Sequence, residues 1–329
     1  MGPIRSSQLG AKMRAAVVAA FGAPPRYIEF SLPAPTRGEI QVEVLAAGLH
    51  PRVRSGASGT HYSSDGLLPL IPGVDGVGRL PSGDRVFFMT LNTSMGSMAD
   101  RAVVDSARCV LIPPTLDDTL VAAAMNPAMS SWLALRARTI LQPGQNVLVH
   151  GATGNAGQMA VQIAKRLGAG RVIATGRDPI RLNLLADLGA DIIIALDQDH
   201  HALSRAIREA AHDVDVVLDY LWGAPTELAM SSIAEARAVK CDRLEWVQIG
   251  ASAGRELVLP AALLRATNIC LIGSGHGAIS VDHIMTEMPS LLDFMVHADL
   301  SVQTRRFPLS EVESTWNLVT GQDRIVYFP

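Results

Sequence analysis

The stretch Asn146-Val-Leu-Val-His150-Gly-Ala-Thr-Gly-Asn-Ala-Gly157 decides the fold. Asn146 to His150 is a short, mostly apolar run of strand length, and Gln158 to Leu167 reads as a helix closed by Gly168 and Gly170. The turn between them carries Ala152-x-Gly154-x-x-Gly157, a G-x-G-x-x-G fingerprint with Ala in place of its first Gly. In a strand–turn–helix setting each position has a physical task. Gly154 lets the backbone approach a pyrophosphate, and Gly157 lets the helix pack closely on the strand. The free N–H groups at the helix start then face negative charge. Ala152, Gly154, Asn155, Ala156 and Gly157 are therefore expected to bind a dinucleotide.

The next strand, Arg171-Val-Ile-Ala-Thr175, carries the choice of cofactor. An NAD-type site places an acid at this strand's end for the ribose 2′-hydroxyl. Here Gly176 stands at that position, followed by Arg177, with Arg181 one turn later. Two arginines suit a 2′-phosphate, so NADP(H) is expected, with Gly176, Arg177 and Arg181 among its contacts. The adjacent Asp178 reads as the N-cap of a helix from Ile180 to Leu188, because Pro179 suits a first helical position.

Outward from this unit, strand and helix continue to alternate. Strands are expected at Asp191–Ala195, Val214–Leu218, Trp246–Gly250 and Ile269–Gly273, and a helix at His201–Ala211. That spacing predicts an α/β fold with a doubly wound parallel sheet, preceded by an Ala-rich helix from Leu120 to Ile140. Before it the texture is different. Glu39-Ile-Gln-Val-Glu-Val-Leu45 alternates like a half-buried strand, and Arg85–Met89 and Ala102–Val104 add strands among Gly-rich turns. Beyond Ile279 a helix at Met288–Val296 and two short strands return to that mixed texture. The expected plan is a disordered leader over 1–12, a β domain over 13–119, a nucleotide-binding domain over 120–278 and a return to the first domain over 279–329.

Composition excludes several classes. In 329 residues, 48% are hydrophobic and 18% charged, which is a globular composition, and a net charge of −3 speaks against a dedicated nucleic-acid binder. Three scattered cysteines, Cys109, Cys241 and Cys270, build neither a disulfide scaffold nor a cysteine-rich zinc site and suit a reducing, cytoplasmic setting. No apolar run reaches the roughly 18 residues of a membrane span.

The chain resembles the zinc-free, quinone-oxidoreductase-like branch of the medium-chain dehydrogenase/reductase superfamily. The marks are Val42-Glu-Val-Leu-Ala-Ala-Gly48, Leu70-Ile-Pro-Gly-Val-Asp-Gly-Val-Gly78, Gly83-Asp-Arg-Val86, Ser130-Ser-Trp-Leu-Ala-Leu135, the His150–Gly157 loop and Asp213-Val-Asp-Val-Val-Leu-Asp219. The resemblance implies a GroES-like β domain, a Rossmann domain inserted after it, a C-terminal return, and an active site in the cleft between the domains. It further implies no catalytic zinc. The zinc-dependent branch carries a cysteine just after the Gly48 position, a Gly-His-Glu at the Gly73 turn and a later cysteine, where this chain has Leu49-His50, Gly73-Val74-Asp75 and Asn126 or a close neighbour. Even against the zinc-free branch there are departures. His50 replaces the usual Asn, the segment from His50 to Gly59 is short and carries Arg52 and Arg54, and Glu235 to Trp246 is long and charged.

Without zinc, hydride goes to an electrophile that accepts it readily, a quinone or an α,β-unsaturated carbonyl. From the resemblance, Ser130, Gly250 and Ser274 are expected at the nicotinamide end of the cofactor. Tyr62 is the candidate proton donor, and His50 is expected to touch the substrate or nicotinamide while titrating near neutrality. The expected protein is an NADPH-dependent quinone or enone reductase with a small-molecule substrate and no nucleic-acid or membrane partner. It is expected to be a homodimer paired through the Ile269–Ile272 edge. An enoyl-thioester reductase and an idle NADPH-binding protein are the alternatives.

Overall fold

The computed structural model describes residues 9–61, 64, 66–90, 93–319, 321 and 323–329. Its chain divides into two units: Met1–Asn126 with Met288–His297 and Val302–Pro329, and Pro127–Glu287 with Ala298–Ser301.

The first unit is built on antiparallel pairing. β1 (Leu9–Val17) and β2 (Arg26–Pro33) form a two-stranded hairpin, in register from Lys12↔Ser31 to Val17↔Arg26. β3 (Glu39–Gly48), β4 (Asp75–Arg79), β5 (Arg85–Met89) and β7 (Cys109–Leu111) continue a sheet that starts with β14 (Thr304–Pro308) and β15 (Arg324–Phe328). The order is β14-β15-β3-β4-β5-β7, and β6 (Arg101–Asp105) pairs with β3 off that path. β3 explains its own position. Val42 and Val44 are buried on either side of exposed Glu43, and its last three residues, Ala46 to Gly48, are all buried. Val42, Val44, Val86, Phe88, Ala102 and Val104 make one small core, while a larger one gathers Met13, Ala15, Leu32, Val53 and Tyr327. α1 (Pro51–Ala57) follows β3 with Pro51 in its first turn, and α9 (Val312–Thr315) precedes β15.

The second unit is the parallel sheet. In chain order it runs β8 (Asn146–His150), α3 (Asn155–Arg166), β9 (Arg171–Gly176), α4 (Pro179–Leu182), β10 (Ile192–Ala195), α5 (His200–Ala211), β11 (Val216–Asp219), α6 (Ala224–Ala236), β12 (Leu244–Gln248), α7 (Ala261–Ala266) and β13 (Ile269–Gly273). The strands lie in the order β10-β9-β8-β11-β12-β13, all parallel, which is the Rossmann arrangement with its switch between β8 and β11. Ile173, Ile207, Ile233, Leu244 and Trp246 are core residues, so one tryptophan does much of the filling in an aromatic-poor chain.

Several boundaries differ from expectation. Leu9 to Lys12 are not leader but strand: they extend β1, and Lys12 Nζ lies 2.6 Å from Glu29 Oε1 across the hairpin. Ala11 and Lys12 both face water, so the alternation of exposed and buried residues begins only at Lys12 and the four residues carry no strand signal of their own. α2 (Asp118–Leu133) starts in the first unit and passes into the second at Pro127, inside the helix rather than at its start. It gives way to a π-helical turn over Ala134–Arg138, short of Ile140. α8 (Val281–His297) likewise begins in the second unit and ends in the first, with the division at Met288. α4 stops at Leu182, well before Leu188, and continues as turns.

Candidate functional site

The register of the parallel sheet lines up one row of strand ends. His150 pairs with Thr175 and Asp219, Asp219 with Gln248, and Gln248 with Gly273. The loops leaving that row hold most of the residues expected at the cofactor: the Ala152–Gly157 turn, Gly176 with Arg177, Gly250 and Ser274. This is the carboxyl edge of the sheet, where open α/β sheets bind their ligands.

Two glycines are required there by close packing. A β-carbon on Gly157 would lie 2.3 Å from the Gly151 carbonyl oxygen, so α3 sits on the turn at a distance only Gly permits. One on Gly176 would lie 2.3 Å from Thr153 Cγ2, so the acid of an NAD-type site has no room at the end of β9. Gly154 is different: it caps α3 with extended backbone, and nothing lies within 4 Å of where its β-carbon would be. Ala152 is buried, and Asn155 and Ala156 are half-buried in the first turn of α3.

The arginines divide their work. Asp178 caps α4, accepting from the backbone N–H groups of Ile180 and Arg181 at 3.0 and 3.2 Å. Its second oxygen holds Arg181 Nε at 3.2 Å, and Arg181 Nη1 donates to the Thr153 carbonyl at 3.2 Å. Arg181 therefore braces the glycine-rich turn. Arg177 is exposed and takes part in no hydrogen bond or ion pair among the described residues.

Ser130 lies on α2, half-buried. Its Oγ donates to the Pro127 carbonyl at 2.7 Å and lies 3.0 Å from the Tyr220 hydroxyl. With its one proton given to Pro127, it accepts from the phenol. Tyr220 leaves the C-terminal end of β11, and burial pushes its pKa up to about 12, so it remains a donor. The loop that carries it is pinned by Asp219. That carboxylate accepts from Leu221 N, Trp222 N, Thr226 Oγ1 and Trp246 Nε1 at 2.8–3.1 Å. Trp222 adopts φ 58°, a left-handed conformation that this clamp sustains. Gly250 packs on the Tyr220 carbonyl, 2.8 Å from its virtual β-carbon, and Ser274 N donates to Gln248 O at 2.8 Å. Tyr220 was not among the expected site residues. The motif read from sequence ended at Asp219, one residue short of it.

In the first unit, His50 and Asp75 are both 1% exposed. His50 Nε2 lies 3.2 Å from Asp75 Oδ1, and Asn126 Nδ2 donates to Asp75 Oδ2 at 2.8 Å. Buried Arg324 donates to the Leu49 carbonyl at 2.8 Å, and burial pulls its pKa down to about 10 while Asp75 opposes the shift. His50 itself is pulled below the ordinary imidazole value by burial, which outweighs Asp75. The expectation that it titrates near neutrality is thus corrected: it is a neutral, fully packed group, with Nε2–H on the carboxylate and Nδ1 carrying no hydrogen bond. Tyr62 lies outside the described residues.

The zinc-binding dehydrogenase family model matches residues 156–296. The "Probable NADPH-dependent quinone reductase tdiC" of Emericella nidulans is 30% identical over 360 residues, covering 96% of this chain and 100% of that protein. The chain belongs to the quinone-oxidoreductase-like branch of the medium-chain dehydrogenase/reductase superfamily. The quinone oxidoreductase of Thermus thermophilus, solved alone and with NADPH, matches with a TM-score of 0.80 at 25% identity over 96% of this chain and 100% of that one. A mycobacterial quinone oxidoreductase shares the fold, with a TM-score of 0.82 at 22% identity and the same coverage. The GroES-like plus Rossmann architecture expected from sequence is that of this branch.

For a quinone-oxidoreductase-like protein, the donor chemistry at the positions of the zinc-dependent branch is informative. Leu49 and Val74 offer no ligand atom, and both Asp75 oxygens are engaged, one by His50 and one by Asn126. Among the described residues no group of three or more His, Cys, Asp or Glu could hold a metal ion. No described helix is long and apolar enough to cross a membrane.

Proposed function

We propose that the protein is an NADPH-dependent reductase that passes hydride to a quinone or an activated alkene and uses no zinc. The observation that carries the reading is the end of β9, where the Thr153 methyl fills the space of an acid and Arg177 follows without a partner among the described residues. The names of the curated relative and of the Thermus structure point the same way. Bound there, NADPH supplies the hydride.

The chain's own residues bind and orient. The N–H groups opening α3 and the Gly154 turn receive the pyrophosphate, Arg177 the 2′-phosphate, and Arg181 keeps the turn in place through Thr153. In the Ser130–Tyr220 pair the phenol gives its proton to Ser130 and offers the nicotinamide end a neutral acceptor oxygen, because a phenol with its pKa at about 12 does not ionise near neutrality. A quinone's oxygens take their protons from water. An alkene needs a proton on carbon, for which Tyr62 is the candidate.

The test is NADPH oxidation by the whole chain after exhaustive chelation, with quinones, 2-alkenals and crotonyl-CoA as acceptors. Quinone turnover that survives chelation, with NADPH preferred over NADH, is the expected outcome. Activity lost on chelation and restored by zinc would overturn the zinc-independent reading, and no turnover with any acceptor would overturn the reductase. Tyr62→Phe is expected to slow the alkenal reaction by about 10²–10⁴-fold while sparing the quinone reaction. Equal rates for wild type and variant on both would leave solvent as the proton donor.

A further inference from the structure

The first unit contains a cavity of about 220 Å³. α1 with His61 and Ser64 beyond it forms one wall, and the residues Leu70 to Val74 with Thr90, Thr93 and Ser94 form the other. Much of the lining is aliphatic, from Val53, Ala57, Leu70, Ile71 and Val74. Its polar lining has one character. Arg52 and His61 bring cationic or proton-donating groups, Thr90, Thr93 and Ser94 bring hydroxyls, and no carboxylate lines it among the described residues. Thr90 and Thr93 are already oriented: Thr90 Oγ1 donates to Gly73 O at 3.0 Å, and Thr93 Oγ1 accepts from Met95 N at 3.0 Å.

The two basic residues act on one another. Burial pulls the His61 pKa down, and the Arg52 charge adds to that shift, as it does at His50. Arg52 thus places its guanidinium on an apolar-walled space, where a charge-assisted hydrogen bond is stronger than at an open surface. Size narrows the occupant. An apolar cavity of about 150 Å³ accommodates a benzene ring, so this one takes a single ring with a small charged substituent.

We propose that this cavity binds the anionic oxygen group of a ring-sized electron acceptor, with Arg52 as the principal partner and His61 and the hydroxyls of Thr90, Thr93 and Ser94 completing the site. The proposal deepens the reductase reading and rests on it for the word acceptor. Guanidinium meets a carboxylate with two parallel N–H bonds, so the preferred group is a carboxylate. A phosphonate on the same ring is the competing source of the same chemistry.

The experiment is calorimetric titration of the full chain, saturated with NADP⁺, with benzoate, phenylphosphonate and the neutral isostere benzamide. Benzoate is expected to bind at least about tenfold more tightly than benzamide, the scale of one charge-assisted bond. Arg52→Gln should abolish that difference, and Arg37→Gln, an exposed charge away from the cavity, should leave it intact. Thermal unfolding checks each variant, and His61→Gln, expected to reduce the preference in part, serves if Arg52→Gln does not fold. Phenylphosphonate binding more tightly than benzoate would reassign the anion to phosphate chemistry. Equal binding of benzoate and benzamide, or a preference that survives Arg52→Gln, would overturn the proposal. Turnover separates the two readings. If 1,4-benzoquinone and its 2-carboxylate are reduced with equal kcat/KM, the reductase stands and the anion site falls. If benzoate binds through Arg52 but neither quinone is reduced, the anion site stands and the reductase falls.

Discussion

Replacing Arg177 with Ala should cut NADPH affinity and leave NADH affinity nearly unchanged. The magnitude follows from the local structure. A hydrogen bond between charged groups contributes on the order of 1.5–3 kcal/mol. Arg177 is exposed, so ordinary salt screens its charge and the lower end of that range applies. About 1.4 kcal/mol is a factor of ten in Kd, so the ratio Kd(NADH)/Kd(NADPH) is expected to fall about tenfold, and by more at low ionic strength. Arg181→Ala is the informative contrast. Arg181 is held by Asp178 and by the Thr153 carbonyl of the turn that seats either cofactor, so its loss should weaken NADPH and NADH together and leave the ratio largely unchanged. Fluorescence titration of both reduced cofactors against wild type and the two variants supplies the comparison. A third variant probes the steric half of the argument. Gly176→Asp alone should not create NADH preference, because its β-carbon would meet Thr153 Cγ2 at 2.3 Å, whereas Gly176→Asp with Thr153→Ala removes that obstacle. If the wild type binds both cofactors equally, or if Arg177→Ala lowers both affinities in parallel, the assignment of Arg177 to a 2′-phosphate is wrong.

Asp75→Ala leaves the buried His50 Nε2–H and the half-buried Asn126 amide without their acceptor and should cost about 1–3 kcal/mol of stability for each donor, visible as a fall in Tm of roughly 4–24 °C at about 2–4 °C per kcal/mol. A change of a degree or two would mean that the cluster contributes little. Burial holds the His50 and His150 imidazoles below 6.5, so the folded chain resists protons that the unfolded chain accepts. Stability should therefore be complete above pH 6.5 and fall as pH drops below it, by up to about 1.4 kcal/mol per pH unit for each group, and denaturant unfolding between pH 5 and 7.5 with His150→Gln as the comparison measures it. β13 ends the parallel sheet with Leu271 41% exposed, so pairing with a second copy along that edge predicts a dimer by light scattering at micromolar concentration and a shift toward monomer in Leu271→Lys.

What could be read in the sequence was whatever local backbone geometry dictates. The strand–turn–helix at Asn146–Arg166, the N-cap at Asp178 and the alternation in β3 each rest on residues close together in the chain, so their residue types alone carried the signal. Leu9 to Lys12 mark the other limit: four residues with a single large apolar side chain are too few to show a period, and only their place in β1, which pairs with β2, makes them strand.

The His50–Asp75–Asn126 cluster was illegible for a stronger reason. A lone histidine after a strand reads as a surface group with an ordinary pKa until the fold decides what surrounds it. Here that depends on three separate pieces of chain. Gly48 has no side chain, and a β-carbon there would lie 2.3 Å from the Ala122 carbonyl oxygen and 2.8 Å from the His50 ring. The end of β3 is therefore pressed onto α2, which carries Asn126, and the imidazole turns inward to Asp75 at the start of β4. Arg324 reaches the same place from the far C-terminus of the chain. Asn, the residue usual at position 50 in the sequences this chain resembles, would bring to Asp75 a shorter side chain with no proton to lose. His50 fills more space and adds a titratable group, and its burial then silences the titration. The substitution thus reads as chemistry in the sequence and as packing in the fold. The cationic character of this part of the unit passes instead to Arg52, whose charge also lowers the His61 pKa.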